Sequence, residues 1–186
     1  MWANFMEHTT GYKPISGFNL YNGGDIFSND HTTIRTISTP GHSPFHKSFY
    51  FPDENMIFTG DMGVDRFGPW YGWTDCNLAD LVRSIFLLKS LNAGMLVTSH
   101  GGIINDDIAG TFDSKIDQIF ARENKIIKRI EKGLSREEII NEGIYYKKDK
   151  SGVKEPMRSF LLLWDSIMFD HHKKAIDKGG LSSAIV

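Results

Sequence analysis

Three side chains able to ligate a metal ion or move a proton each stand at the end of an apolar, β-rich run. His42 follows Thr39-Pro40-Gly41, Asp61 follows Met56-Ile57-Phe58-Thr59-Gly60, and His100 follows Met95-Leu96-Val97-Thr98-Ser99. Imidazole and carboxylate are the usual nitrogen and oxygen ligands of zinc and of other divalent ions. Taken singly, each residue has an ordinary structural use: a histidine after Pro-Gly caps a turn, Gly-Asp is a turn dipeptide, and His-Gly-Gly reads as a loop. The joint pattern is the signal, because it repeats strand, polar terminus and glycine three times.

The elements that would position these residues follow from local chemistry. Pro40 holds Thr39 extended and Gly41 lets the backbone turn, so His42 sits at the mouth of a strand that spans roughly Thr32 to Ser38. Lys47–Phe51 and Met56–Thr59 are β-rich and are joined by the turn residues Pro52-Asp53-Glu54-Asn55, a hairpin that returns Asp61 toward His42. Asn77 caps a helix in which Leu78, Leu81, Val82, Ile85 and Leu88 recur at helical spacing, and the chain then enters the strand Met95–Ser99. A long helix is predicted from about Asp113 to Lys132, ended by Gly133, and Ser135 with Glu138 forms a capping box for a short helix through Glu142. Lys147–Gly152 reads as a solvated linker, and Pro156 opens a last helix with Phe160, Leu161, Trp164, Ile167 and Met168 on its apolar side.

Between Asp61 and the first helix lies a Gly- and aromatic-rich loop, Met62–Trp73. Its Phe67, Trp70, Tyr71 and Trp73 either wall a substrate cleft, with Trp70 and Tyr71 the binding candidates, or pack beneath the loop as a satellite core. His46 starts the next strand, and His171 and His172 are consecutive on a helix and point about a quarter-turn apart, so these three are read as structural or solvated. His8 and His31 read as loop histidines. Cys76 has no basic neighbour or Cys-x-x-Cys partner and reads as a bystander.

Thr39-Pro-Gly-His-Ser-Pro-Phe-His46, Phe58-Thr-Gly-Asp-Met-Gly63 and Val97-Thr-Ser-His-Gly-Gly102 resemble, in order and spacing, the third, fourth and fifth metal-binding motifs of the metallo-β-lactamase fold hydrolases. Phe67-Gly-Pro-Trp-Tyr-Gly72, the helix around Ser84–Leu91 and the helical C-terminal region continue the likeness. The resemblance implies an α/β fold, half of an αββα sandwich in which a mixed sheet is covered by helices, with a helical extension. It divides the chain into a half-domain at 1–110 and a helical region at 111–186. It also implies zinc, or another divalent metal such as iron or manganese, held by His42 for one ion and by Asp61 and His100 for the other. Asp61 would bridge the ions and act catalytically by orienting the attacking water on a small-molecule substrate. The family's opening His-x-His-x-Asp-His motif is not found in this sequence. The expectation is therefore a hydrolase that is inactive as this chain alone; the rival expectation is a truncated pseudoenzyme that acts, if at all, by association.

Composition bounds the rest. The chain has 186 residues, 40% hydrophobic and 24% charged, with a formal net charge of −2. That is an ordinary globular composition without the basic excess expected of a nucleic-acid binder. The apolar runs are too short to span a bilayer, and the N-terminus lacks a basic and apolar leader pattern, so a cytoplasmic protein with no membrane contact is expected. Strand side chains alternate between faces, so several of Phe49, Phe51, Ile57 and Leu96 should face the place of the second sheet, leaving an apolar area on the order of 600 Å². A homo-oligomer, or a partner supplying the N-terminal half, is the expected way to cover it, unless Trp2, Phe5, Tyr12 and Phe18 fold over it.

Overall fold

The computed structural model describes Glu7, His8, Gly11, Gly17, residues 19–146 and residues 152–185. Trp2, Phe5, Tyr12, Phe18 and most of the Lys147–Gly152 linker lie outside the described residues. Six strands form one sheet in sequence order: β1 (Ile26–Ser28), β2 (Thr33–Ser38), β3 (Lys47–Phe51), β4 (Met56–Phe58), β5 (Met95–Thr98) and β6 (Gly102–Ile104). Every neighbouring pair is antiparallel except β4 and β5, which run parallel. A parallel pair needs a long crossover, and here it includes the helix α1 (Leu78–Ser90).

The helices that follow are α2 (Ile108–Glu131), α3 (Arg136–Asn141), α4 (Met157–Ile176) and the single turn α5 (Leu181–Ala184). The Asn77 cap and the Ser135–Glu138 capping box form as the sequence predicts, the latter with both reciprocal hydrogen bonds. Helix α2 starts five residues before the predicted Asp113, because Asp107 caps it: its side chain accepts from the Gly110 amide. Ile108, Phe112, Ile116 and Ile119 then carry the apolar spacing from the first turn. Two short strands, β1 and β6, were not legible: β1 is three residues between turn-forming segments, and β6 begins on Gly102, in what reads as a loop. No helix among the described residues is long and apolar enough to cross a membrane.

The core lies on one face of the sheet. Registered pairs place Tyr50, Ile57, Leu96 and Ile104 side by side on that face. They pack with Leu81, Val82, Ile85 and Leu88 of α1 and with Phe112, Ile116 and Ile119 of α2. Phe49, Phe58, Val97 and Ile103 are registered on the opposite face and none joins that core. Phe51 lies there too, two residues from Phe49, whereas Ile57 and Leu96 face the helices. On the open face Phe27 is 48% and Ile103 65% exposed, and Tyr21 leans on Phe27 and Phe49.

Candidate metal centre and aromatic cleft

The loop after β2 is pinned to the start of α1. Gly41 adopts φ +135°, and a Cβ there would stand 2.3 Å from the backbone of Leu81, so only glycine permits this approach. The Asn77 amide donates to the Gly41 carbonyl at 2.8 Å, and the Ser84 hydroxyl donates to the Pro40 carbonyl at 2.7 Å. Cys76 donates its Sγ–H to the His42 carbonyl at 3.0 Å, and burial pushes its thiol up to about 11, so it works as a backbone clasp and is not poised as a thiolate. His42 is thereby held on both sides.

The Trp70 carbonyl lies 3.1 Å from His42 Nδ1. A carbonyl only accepts, so Nδ1 carries a proton, and in the neutral ring Nε2 keeps its lone pair. That lone-pair nitrogen lies 3.9 Å from Asp61 Oδ2, while His100 Nε2 lies 3.2 Å from Asp61 Oδ1. The three predicted residues therefore converge, with each carboxylate oxygen of Asp61 beside a different imidazole. Oδ1 is closed off from solvent and accepts no hydrogen bond among the described residues; its approach to His100 has ion-pair distance without hydrogen-bond alignment. An orphaned buried acceptor costs about 1–3 kcal/mol, which a cation beside it would relieve.

Two imidazoles and a carboxylate suit zinc in kind. They are short in number: among the described residues no three His, Cys, Asp or Glu side chains gather closely enough to enclose an ion. What the structure shows is one carboxylate, Asp61, with a different imidazole beside each of its oxygens.

Beside these residues opens a cleft of about 410 Å³, walled by Phe67, Trp70, Tyr145, Tyr146 and Trp164. The aromatic loop divides between cleft wall and core. Trp70 and Phe67 face the cleft, whereas Tyr71 is fully buried behind it and is not positioned to touch a substrate. Its hydroxyl lies 2.8 Å from His172 Nε2, and burial pushes its phenol up to about 12. Trp73 packs edge-on against Trp70 and Trp164.

Tyr145 and Tyr146 escaped the sequence reading. Both amides donate to Asp165 Oδ1, at 2.8 and 3.3 Å, so the pair is set by a side chain twenty positions away on α4. Trp70 Nε1 donates to the Tyr146 hydroxyl at 2.8 Å, and the Tyr145 hydroxyl donates to the Phe67 carbonyl, which locks the aromatic walls together. The only hint in sequence was Asp165 itself, a carboxylate among apolar helix residues.

Sequence likeness shows the family, and the fold is consistent with it. Residues 2–100 match the model of the metallo-beta-lactamase superfamily, and the chain belongs to it. Among curated relatives, the lactamase-like protein nscB of Arthroderma gypseum is 31% identical over 123 residues, covering 66% of this chain and 37% of that protein. The atrochrysone carboxyl ACP thioesterase of Aspergillus fumigatus is 28% identical over 133 residues, covering 67% of this chain and 27% of that protein. The chain thus spans well under half the length of these relatives. A metallo-beta-lactamase family protein of Thermus thermophilus has the same fold at a TM-score of 0.70 and 18% identity, covering 96% of this chain and 58% of that one.

Proposed function

We propose that this chain carries the C-terminal half of a metal-dependent hydrolase site that cleaves an acyl thioester or ester with an aromatic ring in its acyl part. The observation that carries the reading is Asp61, with one carboxylate oxygen beside His42 and the other beside His100, at the edge of an aromatic cleft. His42 would serve one zinc ion and His100 a second, with Asp61 shared; iron or manganese are the alternatives. The missing ligands come from a segment bearing a His-x-His-x-Asp-His motif, in the same longer polypeptide or in a partner. When bound, the ions supply Lewis acidity and make water acidic enough to attack near neutral pH.

The chain's own residues do the rest. The Trp70 carbonyl holds the His42 proton on Nδ1 and so offers Nε2 to the site. Asp61 orients the attacking water by accepting its hydrogen bond. Trp70, Tyr146 and Trp164 exclude solvent and offer flat faces on which an aryl group stacks. The thioester choice draws on the thioesterase relative in Aspergillus fumigatus. The rival reading, a non-catalytic half-domain acting by association, is favoured by the open apolar face of the sheet.

The test mixes the purified chain with a polypeptide carrying the other half of the fold and assays aryl and alkyl thioesters, a lactone and a phosphodiester. The chain alone should turn over none of them. The mixture should hydrolyse the aryl thioester with a metal requirement and lose this in Asp61→Ala. An assembled pair without metal-dependent turnover, or activity of the chain alone that survives Asp61→Ala, overturns the proposal.

A further inference from the structure

His46 stands outside the ligand set, and both of its ring nitrogens are engaged. The Asp61 amide donates to His46 Nε2 at 3.0 Å, and His46 Nδ1 lies 2.8 Å from the Thr39 hydroxyl. Thr39 Oγ1 is 3.0 Å from Ser48 Oγ, and the Ser48 hydroxyl donates to the Thr59 carbonyl at 3.0 Å. The direction of every proton in this relay follows from its two ends. The Thr59 carbonyl can only accept, so Ser48 donates to it, Thr39 donates to Ser48, and His46 Nδ1–H donates to Thr39. At the other end a backbone N–H can only donate, so Nε2 must be bare. The relay is buried at Thr39, Ser48 and Thr59.

Gly60 supplies an independent observation. It adopts φ +59°, and a Cβ there would lie 2.6 Å from His46 Nε2. The residue just before Asp61 is therefore shaped to admit this imidazole.

We propose that His46 is a positioning residue: as the neutral Nδ1–H tautomer it clamps the Asp61 backbone and so aims the Asp61 carboxylate between His42 and His100. The opposite tautomer would set an N–H against the Asp61 N–H and push the carboxylate out of line. The inference rests on the reading of Asp61 as a metal ligand, and it assigns His46 a task distinct from ligation, because the Asp61 amide already occupies the nitrogen nearest the site.

Nitrogen-detected NMR of the 186-residue chain with labelled histidine tests it, together with titration of zinc into the chain and its variants, each paired with a polypeptide carrying the other half of the fold. The spectrum should show His46 protonated on Nδ1 and bare on Nε2. His46→Leu should weaken zinc binding about tenfold or more, the range found when a residue supporting a metal ligand is removed. His46→Gln places an amide oxygen where Nε2 stood and should recover most of the loss. His46→Asn, whose oxygen falls short, should not. A wild-type His46 carrying its proton on Nε2, or a folded His46→Leu that binds zinc as the wild type does, overturns the proposal. If His46→Leu fails to fold, the tautomer in the wild-type spectrum decides. An assembled wild-type pair that takes up no zinc defeats the metal reading above, and the tautomer then decides the clamp separately.

Discussion

His42 and His172 differ in what their second nitrogen meets. His42 gives its Nδ1 proton to the Trp70 carbonyl and leaves Nε2 in the site, whereas His172 is fully buried, with Nε2 2.8 Å from the Tyr71 hydroxyl and Nδ1 3.6 Å from Glu123. Burial holds the His172 imidazole below its ordinary range, and the Glu123 carboxyl opposes this without reversing it. The unfolded chain therefore binds a proton that the folded chain resists. Stability is full above about pH 6.5 and falls as pH drops below that value toward the folded pKa. Thermal melts across that range should show the fall, and it should shrink in His172→Gln; an unchanged profile in the variant would contradict the assignment. The convergence of His42, Asp61 and His100 was legible in sequence because polar residues at strand ends beside glycine stand out from their surroundings. His172 was not, since the buried face of α4 runs Asp165, Met168, His172, Ala175 and so mixes polar with apolar residues.

At the scale of elements, the site depends on how closely the β2–β3 loop meets α1. Gly41→Ala would force a Cβ against the Leu81 backbone and place a side chain at φ +135°, a strain of about 1–3 kcal/mol. The variant should melt lower and bind zinc more weakly, because relief of the clash moves the residue next to His42. A Gly41→Ala chain with wild-type melting and zinc affinity would show that the close approach is dispensable. The hairpin β3–β4 and helix α1 could be read from composition, because alternation, turn residues and an Asn cap are local signals. The aromatic cleft could not, because its far wall comes from α4 and from Tyr145 and Tyr146, which Asp165 orders across sequence.

For the molecule as a whole, the sheet has one face packed on helices and one face bearing Phe27, Phe49, Phe58, Val97 and Ile103. Monomeric proteins rarely leave contiguous apolar patches larger than a few hundred Å² exposed. Light scattering of the purified chain should therefore report dimers or larger species, or binding of a polarity-sensitive dye; a monomer that binds no dye would mean that the face is covered within the chain. At the end of the sheet where β2, β4 and β5 finish, Asp61 lies between two histidines, and the proposed function requires that convergence to be a metal site. Zinc titration into the wild-type chain and into Asp61→Ala, each paired with a polypeptide carrying the other half of the fold and followed calorimetrically, tests it most directly. Saturable binding that Asp61→Ala abolishes is expected. Binding that survives the substitution unchanged, or an assembled wild-type pair that takes up no zinc at all, would contradict it.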